Sequence, residues 1–247
     1  MIPKIIHYCW FGGKPLPPLA VKCISSWKKY LPDYDIKEWN EQNFDVNMIP
    51  YMSEAYQAKK YAFVSDYARF WILYHYGGLY FDTDVELIKP MDDIICHGAF
   101  MGCENASEGA TALAVAPGLG LGCNPGLSFY AEMIKFYSEL HFQKPDGSLN
   151  LKTVVEYTTE LLVGYGLKNV DKIQLVAGIY IYPSEYFCPI DLTTKRLQVT
   201  DKTYTIHHYA GSWVKKTLIM KLKDGIRKCF PTSWLLCYNT WKWGASK

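Results

Sequence analysis

No uninterrupted apolar run in this chain of 247 residues reaches the ~18 to 20 residues that a bilayer-spanning helix needs. Met1-Ile2-Pro3-Lys4 is not a basic segment leading into an apolar one, so neither a secretory leader nor a membrane span is expected, and the expected location is cytoplasmic. Internal repeats and low-complexity stretches are absent too. The eight cysteines (Cys9, Cys23, Cys96, Cys103, Cys123, Cys188, Cys229 and Cys237) include no Cys-x-x-Cys pair and no Cys/His cluster at zinc spacing. They read as reduced, mostly buried thiols, not as a disulfide framework or a zinc site. Gly118, Gly120, Gly122 and Gly126 miss the Gly-x-Gly-x-x-Gly spacing and no Walker lysine follows. Dinucleotide-binding and P-loop chemistry are therefore poor fits, and a loop over a site is the expectation for this stretch.

Aromatic side chains are plentiful: 20 Tyr and 8 Trp, within an aromatic content of 16%, supply both a core and stacking platforms. The length suits one large α/β domain. A net charge of +2 conceals an asymmetry, because residues 214–247 carry eight basic side chains against the single acidic Asp224, a local balance of +7 that leaves −5 for the rest. A basic, Trp-rich extension on a mildly acidic body points to a negatively charged partner for residues 214–247, and its interleaved apolar and basic residues suit an anionic membrane surface. The bland alternative is a terminal helix packed on the domain with solvated lysines. No nucleic-acid-binding motif accompanies the charge.

Along the chain, Lys4–Phe11 reads as a buried first strand stopped by Gly12-Gly13, Leu19–Tyr30 as a helix and Tyr34–Trp39 as a second strand. The pattern from Ser53 to Tyr76 is helical, with Gly77-Gly78 as the stop. Ala99–Gly102, Ile179–Pro183 and Tyr204–Tyr209 are strand-like, and helices are expected near Phe129–Leu140 and Leu151–Gly164.

After Gly77-Gly78 comes Tyr80-Phe81-Asp82-Thr83-Asp84. On an extended strand, residues i and i+2 share a side, so Asp82 and Asp84 are expected to converge on one cation while Thr83 faces away. Two hard oxygen donors without Cys or His beside them suit Mg2+ or Mn2+, whose shell is then completed by water and substrate phosphates. The expected ligand is a nucleotide diphosphate. Asp66 and Arg69, three apart on the preceding helix, read by themselves as an ordinary surface ion pair.

Three separated segments together resemble the glycosyltransferase family 32 type, which includes yeast initiating mannosyltransferases, bacterial capsule glycosyltransferases and the glucosylating domain of large clostridial toxins. They are Ile5–Gly13, then Ser65-Asp66-Tyr67-Ala68-Arg69 through Asp84, then His207-His208-Tyr209-Ala210-Gly211-Ser212-Trp213. The resemblance implies an α/β fold of GT-A type over residues 1–213, with a mostly parallel sheet flanked by helices and with the nucleotide at the C-terminal ends of the strands. It implies a retaining hexosyltransferase that uses a nucleotide-diphospho-sugar, a UDP-sugar in preference to a GDP-sugar, and a saccharide acceptor, lipid-linked ones included, in capsule or other surface-glycan synthesis.

Residue by residue, the resemblance implies that Trp10 stacks on the base. Ser65, Asp66 and Arg69 meet ribose and donor-sugar hydroxyls, and Tyr80 meets phosphates or sugar unless it simply packs in the core. Asp82 and Asp84 hold the metal, with His208 of His208-Tyr209-Ala210-Gly211 as the remaining ligand; the toxins place a carboxylate there. Ser212 and Trp213 steady the diphosphate; from their positions in the chain and not from the resemblance, Lys215 would join them, and Glu104 and Glu108, after the strand-like Ala99–Gly102, are candidates for a nucleophile or an acceptor contact. Two other classes share the carboxylates: a metal-dependent phosphohydrolase or nuclease, which wants a second metal site, and a non-catalytic sugar-binding module.

Overall fold

The computed structural model describes residues 1–104, 113–190 and 196–211. Ser212, Trp213, Lys215, Glu108 and the expected extension 214–247 lie outside the described residues. Met1–Ala210 forms one compact unit.

An eight-stranded mixed sheet organises it. β1 (Ile5–Cys9) pairs in parallel with β2 (Asp35–Trp39) on one side and β3 (Gly78–Tyr80) on the other. β5 (Phe100–Glu104) and β9 (Ile179–Tyr182) run in the same direction as these three. Against them run β7 (Leu121–Cys123), inserted between β3 and β5, the short β6 (Ala114–Val115) on β5, and β8 (Gln174–Val176) on the outer edge. This is the layout a GT-A type α/β fold calls for, with five strands delivering their C-terminal ends to one edge. A separate two-stranded ribbon pairs β4 (Val85–Leu87) with β10 (Thr205–His207), antiparallel.

Strand alternation divides the core. Cys9, Tyr80 and Met101 enter one apolar cluster, while Tyr8, Leu79 and Phe100 enter another. The first is covered by α2 (Pro50–Gln57), α3 (Tyr61–Tyr76), α5 (Ser128–Ser138) and α6 (Val154–Gly164); the second by α1 (Pro18–Tyr30), α4 (Asp92–Ile95) and α7 (Ser184–Phe187). α6 opens on a capping box in which the Thr153 side chain and Glu156 satisfy each other's backbone N–H groups. Among the described residues no helix is long and apolar enough to cross a membrane. Cys9, Cys23, Cys96, Cys103 and Cys123 are free thiols, and all the described cysteines but Cys96 are buried.

Two expectations change. The single helix over Ser53–Tyr76 is two helices, because Lys59 takes the left-handed region at φ 57° and the Lys60 N–H closes on the Ala55 carbonyl at 2.8 Å. The glycine-rich stretch expected as a loop over a site is only partly a loop: its turn at Gly118 lies against Asp82, while Leu121–Cys123 forms the buried central strand β7. Gly122 faces the Phe100 ring there, with no room for a Cβ.

His7 ties three elements together. Its Nδ1 accepts from Trp39 Nε1 at 3.1 Å, and its Nε2 donates to the Gly77 carbonyl at 3.0 Å, so β1, β2 and the end of α3 share one imidazole. This arrangement requires the neutral ring. Burial, helped by Lys37 and opposed by the Gly77 bond, lowers its pKa from 6.5 to about 4. Between those values the unfolded chain binds the proton and the folded one does not, so stability is full above pH 6.5 and is lost as pH falls toward about 4. The loss expected from this group is about 3 kcal/mol. Urea midpoints of the wild type and His7→Gln, measured at pH 7.5 and pH 4.5, test it: the wild type should lose more on acidification than the variant.

Candidate active site

The metal-binding expectation placed Asp82 and Asp84 on one strand, but β3 ends at Tyr80. Phe81 N still pairs with the His7 carbonyl at 3.2 Å, Asp82 N turns to the Gly118 carbonyl at 3.1 Å, and Val85 N closes a tight turn on the Asp82 carbonyl at 3.0 Å. The two aspartates therefore flank a turn between β3 and β4. Asp82 faces α3, whereas Asp84 faces the segment that follows β10.

On the α3 side, Arg69 Nη2 lies 3.0 Å from Asp66 Oδ1 and 3.4 Å from Asp82 Oδ1. Arg69 Nε donates to the Ser65 carbonyl at 3.1 Å, and its guanidinium lies 5.1 Å from the centre of the Tyr80 ring. The side chains of Arg69 and Asp66 are only 4% and 9% exposed, so this is a buried ion pair and not the surface pair expected from spacing alone. Burial pushes the Asp66 carboxyl up to about 7 against the pull of Arg69. Burial works against the Arg69 charge as well, but Asp82, Tyr80 and Asp66 hold its pKa above the ordinary value. Asp82 is also raised by burial, with Arg69 opposing. Tyr80 is 1% exposed and donates its hydroxyl to Asp82 Oδ1 at 3.2 Å. Gly118 closes the other side: a Cβ there would collide with Asp82 Oδ2. Gly118 opens the glycine-rich stretch expected over a site.

On the other side, Asp84 Oδ1 meets His207 Nε2 at 3.2 Å, Asp84 Oδ2 accepts the Ala210 N–H at 2.8 Å, and the Asp84 carbonyl accepts the His208 N–H at 3.0 Å. Burial would raise the Asp84 carboxyl, but the bond and charge of His207 and the Ala210 N–H hold it below the usual range. Burial likewise works against the His207 charge and is outweighed by Asp84, which bonds it, and by the charges of Asp82 and Glu104, so its pKa is raised. The expected ligand His208 points elsewhere, to Glu86 Oε2 at 2.7 Å, an oxygen that Lys22 Nζ also reaches at 2.7 Å. The two histidines do face opposite ways. The antiparallel register that sets His207 against Val85 puts His207, not His208, beside Asp84.

Trp10 and Glu104 emerge at the same edge, at the ends of β1 and β5. Trp10 is half-buried and donates Nε1 to the Lys14 carbonyl at 2.5 Å. Ser65 is half-buried and donates to the Tyr61 carbonyl at 3.2 Å. Among the described residues no three His, Cys, Asp or Glu side chains group closely enough to cage a cation. Two carboxylates beside a His207 whose buried Nδ1 has no partner among those residues fit a hard divalent ion of another kind, one held by one or two carboxylates and completed by water and phosphate oxygens.

Residues 17–101 match the family model described as a glycosyltransferase sugar-binding region containing the DXD motif. The span includes Asp66, Arg69, Asp82 and Asp84. Inositol phosphoceramide mannosyltransferase 1 of Schizosaccharomyces pombe is 30% identical over 111 residues, which is 40% of this chain and 33% of that protein. Inositol phosphoceramide mannosyltransferase 3 of the same organism is 31% identical over 104 residues, 40% of this chain and 29% of that one. The chain thus spans about a third of the length of the curated relatives it matches. The solved structure of the PaToxG glycosyltransferase aligns with a TM-score of 0.48 at 19% identity, covering 66% of this chain and 69% of that one.

Proposed function

We propose, for a chain whose residues 17–101 match the model of a DXD-containing glycosyltransferase sugar-binding region, that it moves a hexosyl group from a nucleotide-diphospho-sugar to a saccharide hydroxyl. The observation that supports this best is the pair Asp82 and Asp84 at the edge where β1, β3 and β5 end, anchored by the buried Arg69–Asp66 pair on one side and by His207 and the Ala210 N–H on the other. Open α/β sheets bind ligands at that edge.

Asp82 and Asp84 would hold a divalent ion, Mn2+ or Mg2+, completed by water and phosphate oxygens, with His207 in place of the expected His208 standing beside Asp84. When bound, the ion supplies electrostatic stabilisation of the diphosphate as it departs. Arg69 and Asp66 present a donor fork and an acceptor carboxylate to ribose and sugar hydroxyls. Trp10 offers an aromatic face to the base, and Ser65 stands one turn before Arg69 on α3. Ser212 and Trp213 steady the phosphates in this reading, and transfer retains the anomeric configuration.

Toxin-like resemblance favours a UDP-hexose, whereas the names of the Schizosaccharomyces pombe relatives favour a mannosyl donor carried on GDP and an inositol-phosphate lipid as acceptor. A lipid-linked acceptor agrees with the basic extension 214–247 resting on an anionic membrane surface, as a surface-glycan enzyme acting at the cytosolic face would. Nucleotide release from a panel of UDP- and GDP-hexoses, with Mn2+, with Mg2+ and with chelator, decides the class and the donor. Release from one donor that chelation abolishes is the expected result; absence of both nucleotide binding and release sinks the proposal. Anionic vesicles should retain the full chain and not a chain ending at residue 213, and equal retention removes the membrane role.

A further inference from the structure

Glu104 ends β5 at the edge where β3 releases Asp82, since the two strands run in the same direction. Its Oε2 accepts the Tyr209 hydroxyl at 3.1 Å. The Tyr209 ring lies 4.1 Å from the His207 ring, centre to centre, and His207 in turn meets Asp84. Asp84, His207, Tyr209 and Glu104 thus form a continuous row across the edge.

Tyr209 is held in this row against its backbone preference. Its φ of 48° lies in the left-handed region, which costs a non-glycine residue on the order of 1 kcal/mol. That conformation lets one short segment do two things at once: the Ala210 N–H reaches Asp84 and the Tyr209 hydroxyl reaches Glu104. Cys188 Sγ, 2.9 Å from the same hydroxyl, steadies it from behind. The Glu104 side chain is half-buried, so it is both fixed and partly open.

Charge decides what such a group can meet. An ionised carboxylate only accepts hydrogen bonds and has about four lone-pair sites, of which Tyr209 occupies one. It repels phosphate oxygens and attracts hydroxyls. The α3 side of the edge already presents Arg69 and Asp66 to the donor, and Glu104 stands with the segment on the far side of Asp84.

Resting on the sugar-transfer reading, we infer that Glu104 is the acceptor-binding carboxylate, receiving the hydrogen bond of the incoming saccharide hydroxyl, and that Tyr209 is the positioning residue that aims it. The test uses the full chain with Mn2+ and the active donor, and compares the wild type with Glu104→Gln, Glu104→Asp and Tyr209→Phe. UDP or GDP affinity, donor hydrolysis by water, and transfer to methyl α-mannoside, methyl α-glucoside and myo-inositol are measured separately. Glu104→Gln should keep nucleotide affinity within about threefold of wild type and lose transfer by at least ~10-fold, read mainly as a higher acceptor KM, the scale of one hydrogen bond to a charged group. Glu104→Asp should recover part of the loss, and Tyr209→Phe should move the acceptor KM the same way by less. Unchanged transfer in Glu104→Gln overturns the inference, as does parallel loss of nucleotide affinity and hydrolysis, which would place Glu104 on the donor. A wild type that hydrolyses donor but serves none of the three hydroxyl probes overturns it also. A wild type that binds no nucleotide overturns the sugar-transfer reading itself.

Discussion

Asp84→Ala is expected to lower nucleotide-sugar turnover at saturating Mn2+ by at least ~10²-fold, the scale on which removing one electrostatic stabiliser of a transition state acts. The change removes a carboxylate held below its usual pKa by His207 and the Ala210 N–H, a group therefore kept ionised and aimed. It also removes two of the three bonds that tie Asp84 to residues 207–210. The third, from the His208 N–H to the Asp84 carbonyl, belongs to the backbone and survives in the variant. Asp84→Asn separates the two contributions, since an amide oxygen can still accept the Ala210 N–H but carries no charge. Both variants should be inactive if charge on the diphosphate is the main demand; recovery in Asp84→Asn alone would make the segment's placement the demand. Near-normal turnover by a folded Asp84→Ala protein would remove Asp84 from the chemistry.

Much of the architecture was legible in the sequence because it is written in apolar periodicity. α1, α5, β1, β2 and β9 fall close to where the spacing of buried residues puts them. The break between α2 and α3 was not legible: a left-handed Lys59 interrupts the helix without disturbing the apolar spacing on either side. Nor was β7, because its Gly122 is there to admit Phe100 and Leu79 of the neighbouring strands, a reason that lies in other segments. The same holds in the site. Asp82 and Asp84 could be named from local pattern and Asp66 and Arg69 only from the resemblance, and the burial of the Arg69–Asp66 pair follows from packing between α3 and the sheet. The choice of His207 over His208 follows from the β4–β10 register, which no local pattern encodes. Tyr209 acts through a contact 105 residues away along the chain, to Glu104, and so left no local signal, whereas Gly118, 36 residues from Asp82, lies in the glycine-rich stretch expected over a site.

Arg69→Met is the second large effect expected, and its readout is stability as well as activity. Arg69 lies between Asp66 and Asp82 with its side chain 4% exposed, and methionine can fill much of its volume without its charge. Losing one partner of a buried pair costs about 3–5 kcal/mol, because the remaining carboxylates stay buried without a cation. Asp66 makes the cause testable. Its pKa already stands at about 7 from burial with Arg69 pulling it down, so removing Arg69 raises it further. A carboxyl whose folded pKa exceeds its unfolded value is most favourable to folding below the unfolded value, and that advantage is lost as pH rises through the folded one. The variant's deficit against wild type should therefore be largest near pH 8 and narrow toward pH 5.5, where Asp66 is protonated in both. Adding Asp66→Asn to Arg69→Met should restore part of the deficit at pH 8, since the amide needs no cation. A deficit that is the same at both pH values would mean that lost packing, not an unpaired carboxylate, destabilises the variant. Turnover should fall by at least ~10²-fold at every pH, because Asp82 loses the cation that orients it. Arg69→Met with wild-type stability and turnover would show that Asp82 is held by Tyr80 and the Gly118 carbonyl alone.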